Sequence, residues 1–333
     1  MKITNCPSCL SDGYTTYSPK AAKLLFNGEK INPILNFDFA EFQDATPVVE
    51  AMHRISVSGV QEKFPAVIDK GNIRLSHENE RSTYILKPAP WDKTLQNRKQ
   101  IPANEHLTMQ IASQVYGIQT ACNGLCFTPS GAMVYITKHF DVLSDGTKAT
   151  MEDFAAAVGR NEQTDGKHFK YNGCYEDIAM AIRSNVAAWM VDMERFFELV
   201  IFNYIYANGD AHLKNFSLIR QGSDYRLSPA YDLLNTCLHV DGDDFGLDGG
   251  LSPHIEKSDV MERTGHPCHI DFERFAERIG VRKPRIQRIV AKYLQLPPQA
   301  QLLIGHSYLN DKMKRNYLRI VNERFSRFIR MSE

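Results

Sequence analysis

The stretch "FFELVIFNYIYANGDAHLKNFSLI", residues 196–219, constrains this chain most. Its first half is apolar on nearly every side and reads as a buried helix. Its last residues, and "YRLSPAYDLL" at 225–234, read as short strands. Between helix and hairpin stand Asp210, His212, Lys214 and Asn215 on one turn. A fold that buries the helix must therefore place two oxygen-bearing side chains, Asp210 and Asn215, where the core meets a turn.

The surrounding texture changes along the chain. "FPAVI", "TYILK", "GLCF" and "AMVYITK" are β-branched and aromatic and predict strands between Ile55 and Phe140. "ANEHLTMQIASQVYG" between them predicts a helix that stops at Gly117. Ser18 and Pro19 predict the start of a short helix, "PKAAKLLF". From Met151 onward helices dominate, at about 151–158, 175–190, 194–208, 271–280, 284–294 and 310–330, with a hairpin at 216–234. The fold class is α+β with two lobes. Residues 1–50 form an N-terminal extension, 51–145 a β-rich lobe and 146–333 a helical lobe. Such a layout suits chemistry in a cleft between lobes.

At 333 residues and 43% apolar composition, the chain can bury two such lobes. Its 39 basic and 39 acidic residues cancel, so no general charge attracts nucleic acid or an anionic membrane. The basic C-terminal stretch "NDKMKRNYLRIVNERFSRFIR" repeats apolar residues at helical spacing and reads as the solvated face of a last helix. No signal peptide or membrane-length apolar run is visible, and seven scattered cysteines suit a reduced, cytoplasmic protein. "CPSC" places Cys6 and Cys9 at zinc-knuckle spacing, but a structural zinc needs four ligands and no nearby Cys or His completes the set. The pair is expected to carry no stoichiometric zinc.

Asn215 follows Asp210 by five residues, and Asp232 follows Asn215 by seventeen. Phosphoryl transfer from ATP uses a carboxylate beside the attacking hydroxyl, together with an amide oxygen and a second carboxylate on Mg²⁺. Asp210 takes the first role; Asn215 and Asp232 take the second. His212 and Lys214 are candidate phosphate contacts. On the β-rich side, Lys87 ends an apolar strand and needs an anionic partner, for which Glu105 at the start of the next helix is placed. "RISVSGVQEKFPAVI" offers a polar turn whose backbone N–H groups can cradle phosphates.

Four segments in order, "ISVSGVQEK", "YILKP" with "NEH", "ITKHFD", and "NGDAHLKNFSL" with "LSPAYDLL", resemble the HipA-like bacterial serine/threonine kinases, toxins of toxin–antitoxin modules. The resemblance implies a two-lobe, protein-kinase-like fold and the cofactors ATP and Mg²⁺. It implies a catalytic Asp210, metal ligands Asn215 and Asp232, and an ATP-phosphate lysine, Lys87. The phosphate loop is implied at Val57, Ser58, Gly59, Val60, Gln61, Glu62 and Lys63, and an adenine-holding hinge at "TKHF", Thr137 to Phe140, with Lys138 and Phe140 as its site residues. Ser56 stands where family members autophosphorylate, with Ser58 two residues on. Implied partners are a protein substrate, aminoacyl-tRNA synthetases being among the family's targets, and a separately encoded DNA-binding antitoxin. The chain looks like the compact HipT-like members that lack an N-terminal subdomain. Two readings compete: a small-molecule phosphotransferase of the aminoglycoside-kinase kind, and a non-catalytic pseudokinase module. A metallohydrolase using Asp210 and His212 lacks further nearby ligands.

Overall fold

The structure, a computed structural model, describes residues 3–39, 61–143 and 146–330. An antiparallel five-stranded sheet comprises β1 (Phe64–Asp69), β2 (Asn72–Leu75), β3 (Tyr84–Lys87), β4 (Asn123–Phe127) and β5 (Met133–Lys138), in the order β2-β1-β3-β5-β4. β2 is absent from the sequence-based expectation. It pairs with β1 through a tight turn at Lys70 and Gly71, both left-handed at φ 48° and 77°, as a twist-matched two-residue hairpin requires.

The two faces of the sheet belong to two cores. Along β4 and β5, Leu125, Phe127 and Tyr135 pack with the helical lobe, while Cys126, Val134 and Ile136 face the other way. That is the period of two that a pleated strand imposes. An N-terminal arm covers the second face through helix α1 (Pro19–Phe26), whose first turn is capped by Ser18 Oγ accepting from Ala21 N at 3.2 Å. Within the arm Cys6 is buried, and its Sγ accepts from Ser18 N at 3.2 Å. Helix α2 (Ile101–Gln114) covers the first face and is buried from Ile101 through Ala112. Two of its buried polar side chains reach other elements: His106 Nε2 donates to Ser8 O at 2.7 Å, and Gln110 Nε2 to Asn123 Oδ1 at 2.9 Å.

The helical lobe is built on α3 (Tyr175–Asn185), α4 (Trp189–Ile205), α5 (His269–Arg278), α6 (Lys283–Ala291), α7 (Pro298–His306) and α8 (Asp311–Phe328). The helices expected at 175–190 and 194–208 meet around Val186, so α4 starts earlier than its apolar run suggests. α7 was not expected; Pro297 and Pro298 open it. Residues 151–158 are not one helix. Met151–Asp153 form β6, the edge of a small sheet with β7 (Ser217–Gln221) and β8 (Asp224–Leu227), and helix follows only at Phe154–Ala157. The pairing of Met151 with Ile219 supplies what local preference lacks.

Asp192, fully buried in the first turn of α4, accepts from Arg195 Nη1 at 2.7 Å, Arg226 Nε at 2.8 Å and Leu227 N at 2.9 Å. It pins the β7–β8 hairpin to the helix, so the turn between them hangs from two fixed supports. α8 buries Tyr317, Val321, Phe325 and Phe328, leaving most of its basic residues on the outer face. The arm also reaches the helical lobe: Asn5 Nδ2 donates to His306 O at 2.7 Å, and His306 Nδ1 to Leu10 O at 3.1 Å. Among the described residues, no helix is long and apolar enough to cross a membrane, and no group of three or more His, Cys, Asp or Glu is placed to hold a metal.

Candidate active site

Where α4 ends, Ala207 turns left-handed at φ 53° and the chain enters the polar turn. Thr236 ties that turn down: its Oγ1 donates to Ala207 O at 3.0 Å and accepts from Gly209 N at 3.0 Å. A short 3₁₀ turn, Leu213–Asn215, closes it, with Asn215 Oδ1 accepting from His212 N at 3.3 Å. Beyond the hairpin, Tyr231 OH donates to Lys214 O at 3.0 Å, joining the two segments that carry Asn215 and Asp232. Asp232 is itself left-handed at φ 55°. Asn104 of α2 clasps the chain just beyond, accepting from Asn235 N at 3.1 Å and donating to Asn235 O at 2.8 Å.

Two cavities of about 380 Å³ each meet here and share Lys63, Lys87 and Asp232 in their walls. The first also holds Gln61, Glu105, Lys170, Tyr171, Asp210, His212 and Asn215. The second lies against the sheet, with Ile85, Thr137, Lys138, Phe140, Lys214 and Tyr231. Phe140 stacks on Tyr231, ring centres 5.8 Å apart. The Lys138 ammonium turns outward to Asn27 Oδ1 at 2.6 Å, and its backbone N–H donates to Cys122 O at 2.8 Å.

Lys87 is buried and donates to Glu105 Oε1 at 2.6 Å and to Asp232 Oδ1. Burial opposes its charge, but the two carboxylates outweigh burial and hold its pKa above the ordinary lysine value. Burial likewise works against ionised Asp232, and Lys87 and Lys63 overcome it, holding the carboxyl well below the usual range. Lys63 Nζ lies 3.7 Å from Asp232 Oδ2. Glu105, desolvated and close to Asp232, is raised despite Lys87.

Asp210 opens to the first cavity and accepts from Tyr171 OH at 2.9 Å. Desolvation raises its pKa, against Lys170 and the Tyr171 bond, which lower it. Burial pushes the His212 imidazole down to about 3, with Lys170 adding to the effect, so the ring is neutral and brings no charge to a phosphate. Lys214 Nζ is 3.6 Å from Asp153 Oδ2 and lines the second cavity. Gln61 Nε2 donates to Pro88 O at 2.9 Å, and Glu62 Oε2 accepts from Trp91 N at 3.2 Å, anchoring the strand end that carries Lys63. Ser56, Val57, Ser58, Gly59 and Val60 lie outside the described residues.

Asn215 and Asp232 line one cavity with oxygen donors of the hard type that would suit Mg²⁺. Sequence reasoning missed Lys170 and Tyr171, on a 3₁₀ turn at Phe169–Tyr171, and the braces Asn104, Tyr231 and Thr236. Asn104 and Tyr231 stand inside the quoted "NEH" and "LSPAYDLL" segments, but nothing local announces their partners; each acts across a long stretch of chain.

The chain is similar to several known proteins. A Haemophilus influenzae protein named "Putative kinase" is 23% identical over 315 residues, covering 90% of this chain and 88% of that protein. "Putative kinase Y4mE" of Sinorhizobium fredii is 26% identical over 261 residues, covering 74% of this chain and 56% of the relative, so the chain spans little more than half of its length. Among solved structures, HipA in the Shewanella oneidensis complex of HipA, HipB and operator DNA shares the fold at a TM-score of 0.54 and 19% identity, covering 82% of this chain and 65% of that one. The fold is thus the two-lobe, HipA-like, kinase-like one. The HipA-like C-terminal domain family matches residues 55–300, and the chain belongs to that family.

Proposed function

We propose that the protein is an ATP-dependent serine/threonine protein kinase. The observation that carries this reading is the meeting of Asp210, Asn215 and Asp232 with the buried Lys87–Glu105 pair in one cleft. In this reading adenine occupies the cavity against the sheet, between Ile85 and the Phe140–Tyr231 stack, and the phosphates run toward Lys63 and Lys87. Asp210 orients the acceptor hydroxyl and takes up its proton. Asn215 and Asp232 would hold Mg²⁺, which neutralises phosphate charge when bound. Likeness to the HipA of the solved HipA–HipB complex supports a toxin's role and a separately encoded DNA-binding antitoxin as partner. Family resemblance supports self-phosphorylation at Ser56 or Ser58, which would switch the enzyme off by competing for the loop's N–H groups.

The test is incubation with γ-labelled ATP and Mg²⁺, followed by intact-mass and peptide spectra. Label is expected on the chain at Ser56 or Ser58 and on protein acceptors. Asp210→Asn and Asp232→Asn should each lower transfer by ~10²-fold or more. Near-normal transfer in Asp210→Asn would overturn the assignment, and label only on small molecules would make the protein a small-molecule phosphotransferase.

A further inference from the structure

The 3₁₀ turn Phe169–Tyr171 delivers two groups to the cleft that the proposed chemistry has not yet used. Tyr171 OH donates to Asp210 Oδ1 at 2.9 Å, and its ring meets His212 edge-on at 5.1 Å. The Lys170 ammonium lies over the Tyr171 ring, 4.9 Å from its centre. Three other lysines of the site each have a carboxylate within 4.0 Å: Lys63 has Asp232, Lys87 has Glu105 and Asp232, and Lys214 has Asp153. Among the described residues, Lys170 has none, although it lines the same cavity as Asp210 and is half-buried. Burial lowers its pKa, with Asp210 opposing that effect from nearby.

A partly desolvated cation without a counter-ion is costly to the free protein. The cost is recovered when a ligand brings the anion. Lys63 and Lys87 stand on the boundary of both cavities, whereas Lys170 belongs to the Asp210 side alone. Neutral His212 supplies no charge there. Resting on the phosphotransfer reading, the geometry points to Lys170 as a substrate-binding residue that takes the non-bridging oxygens of the phosphoryl group in transit, while Tyr171 holds Asp210 beside it. In that step the acceptor oxygen bonds to the γ-phosphorus. The bond to the β–γ bridging oxygen breaks, its electron pair leaves on ADP, and the acceptor proton passes to Asp210. Lys170 meets charge on the group being moved, on the face where the acceptor enters. On this assignment the γ-phosphate of bound ATP is the group that Lys170 meets, and ADP lacks it.

The test compares the full chain with Lys170→Met and Lys170→Arg, measuring ATP and ADP affinity by calorimetry and turnover with labelled ATP. Lys170→Met is expected to lower the ATP-over-ADP preference about tenfold with ADP affinity unchanged, as loss of one charge-assisted contact would. Turnover should fall about 10²-fold. Lys170→Arg should restore part of both, and all three proteins should melt alike. An unchanged ATP-over-ADP preference in Lys170→Met overturns the proposal, as does an effect confined to the KM of the acceptor. If the unaltered protein binds both nucleotides and transfers phosphate, that failure belongs to Lys170 alone. If it does neither, the phosphotransfer reading falls as well.

Discussion

Burial, Lys170 and Tyr171 together set the acidity of Asp210. Burial raises that carboxyl, and the Tyr171 hydrogen bond is one of the restraints that keep it from rising further. In the proposed transfer Asp210 must be ionised to accept a proton, so kcat/KM should fall on the acid side with a midpoint above the ordinary aspartate value of about 4. Tyr171→Phe removes a bond to the charged form and should move that midpoint to higher pH; a pH–rate profile that stays put or moves down would contradict the geometry. The spacing of Asp210, Asn215 and Asp232 was legible in the sequence because a single turn and its following hairpin carry all three. Tyr171 was not, because it reaches Asp210 from 39 residues upstream and nothing local marks it. Lys87 and Glu105 lie between these cases: a lysine ending an apolar strand demands an anion, and the next helix offers one early.

The turn keeps its shape because of the elements packed on it. The segment around Gly246 lies so close to the turn that a Cβ on Gly246 would stand 2.5 Å from the carbonyl carbon of Ala211. One on Gly209 would stand 2.7 Å from Asp243 O. Gly246→Ala must therefore push two backbones apart. It should destabilise the protein by about 1–3 kcal/mol and cut turnover far more than Gly305→Ala, at a helical position with open space around it and no left-handed backbone. Denaturant melts and turnover of both variants check this. On the other flank, Asp192→Asn removes the charge that Arg195 and Arg226 share and should cost about 2–4 kcal/mol. Burial opposes ionised Asp192, yet Arg226, Leu227 N and Arg195 hold its pKa low. Its contribution is thus present above pH of about 4 and fades as pH falls through the depressed value. A pH series of melts should show wild type and variant converging in acid. Long periodic helices were readable from their apolar stripes. β6 was not, since an edge strand of three residues is defined by its partner β7 rather than by its own composition.

At the scale of the molecule, Lys87 on β3, Glu105 on α2 and Asp232 beyond β8 join the sheet to the helical lobe through one buried cation. Lys87→Met would leave two carboxylates facing each other with Lys63 as the remaining cation beside Asp232. A loss of about 3–5 kcal/mol is expected near neutral pH, shrinking in acid as those carboxylates protonate. Chemical denaturation at two pH values tests it, and an equal loss at both would contradict the coupling. The two-lobe α+β plan was legible because strand-like and helix-like runs are segregated along the chain. The N-terminal arm was not, because its role lies in contacts with residues near the other end. Asn5 and His306 are 301 positions apart, and Tyr308 OH closes on Asn5 O beside them. During synthesis residue 5 leaves the ribosome long before residue 306 is made, so the clasp between arm and α7 cannot shut until most of the helical lobe has been translated. A nascent chain therefore carries its polar turn, from the making of residue 215 until that of residue 306, without the clasp between arm and α7.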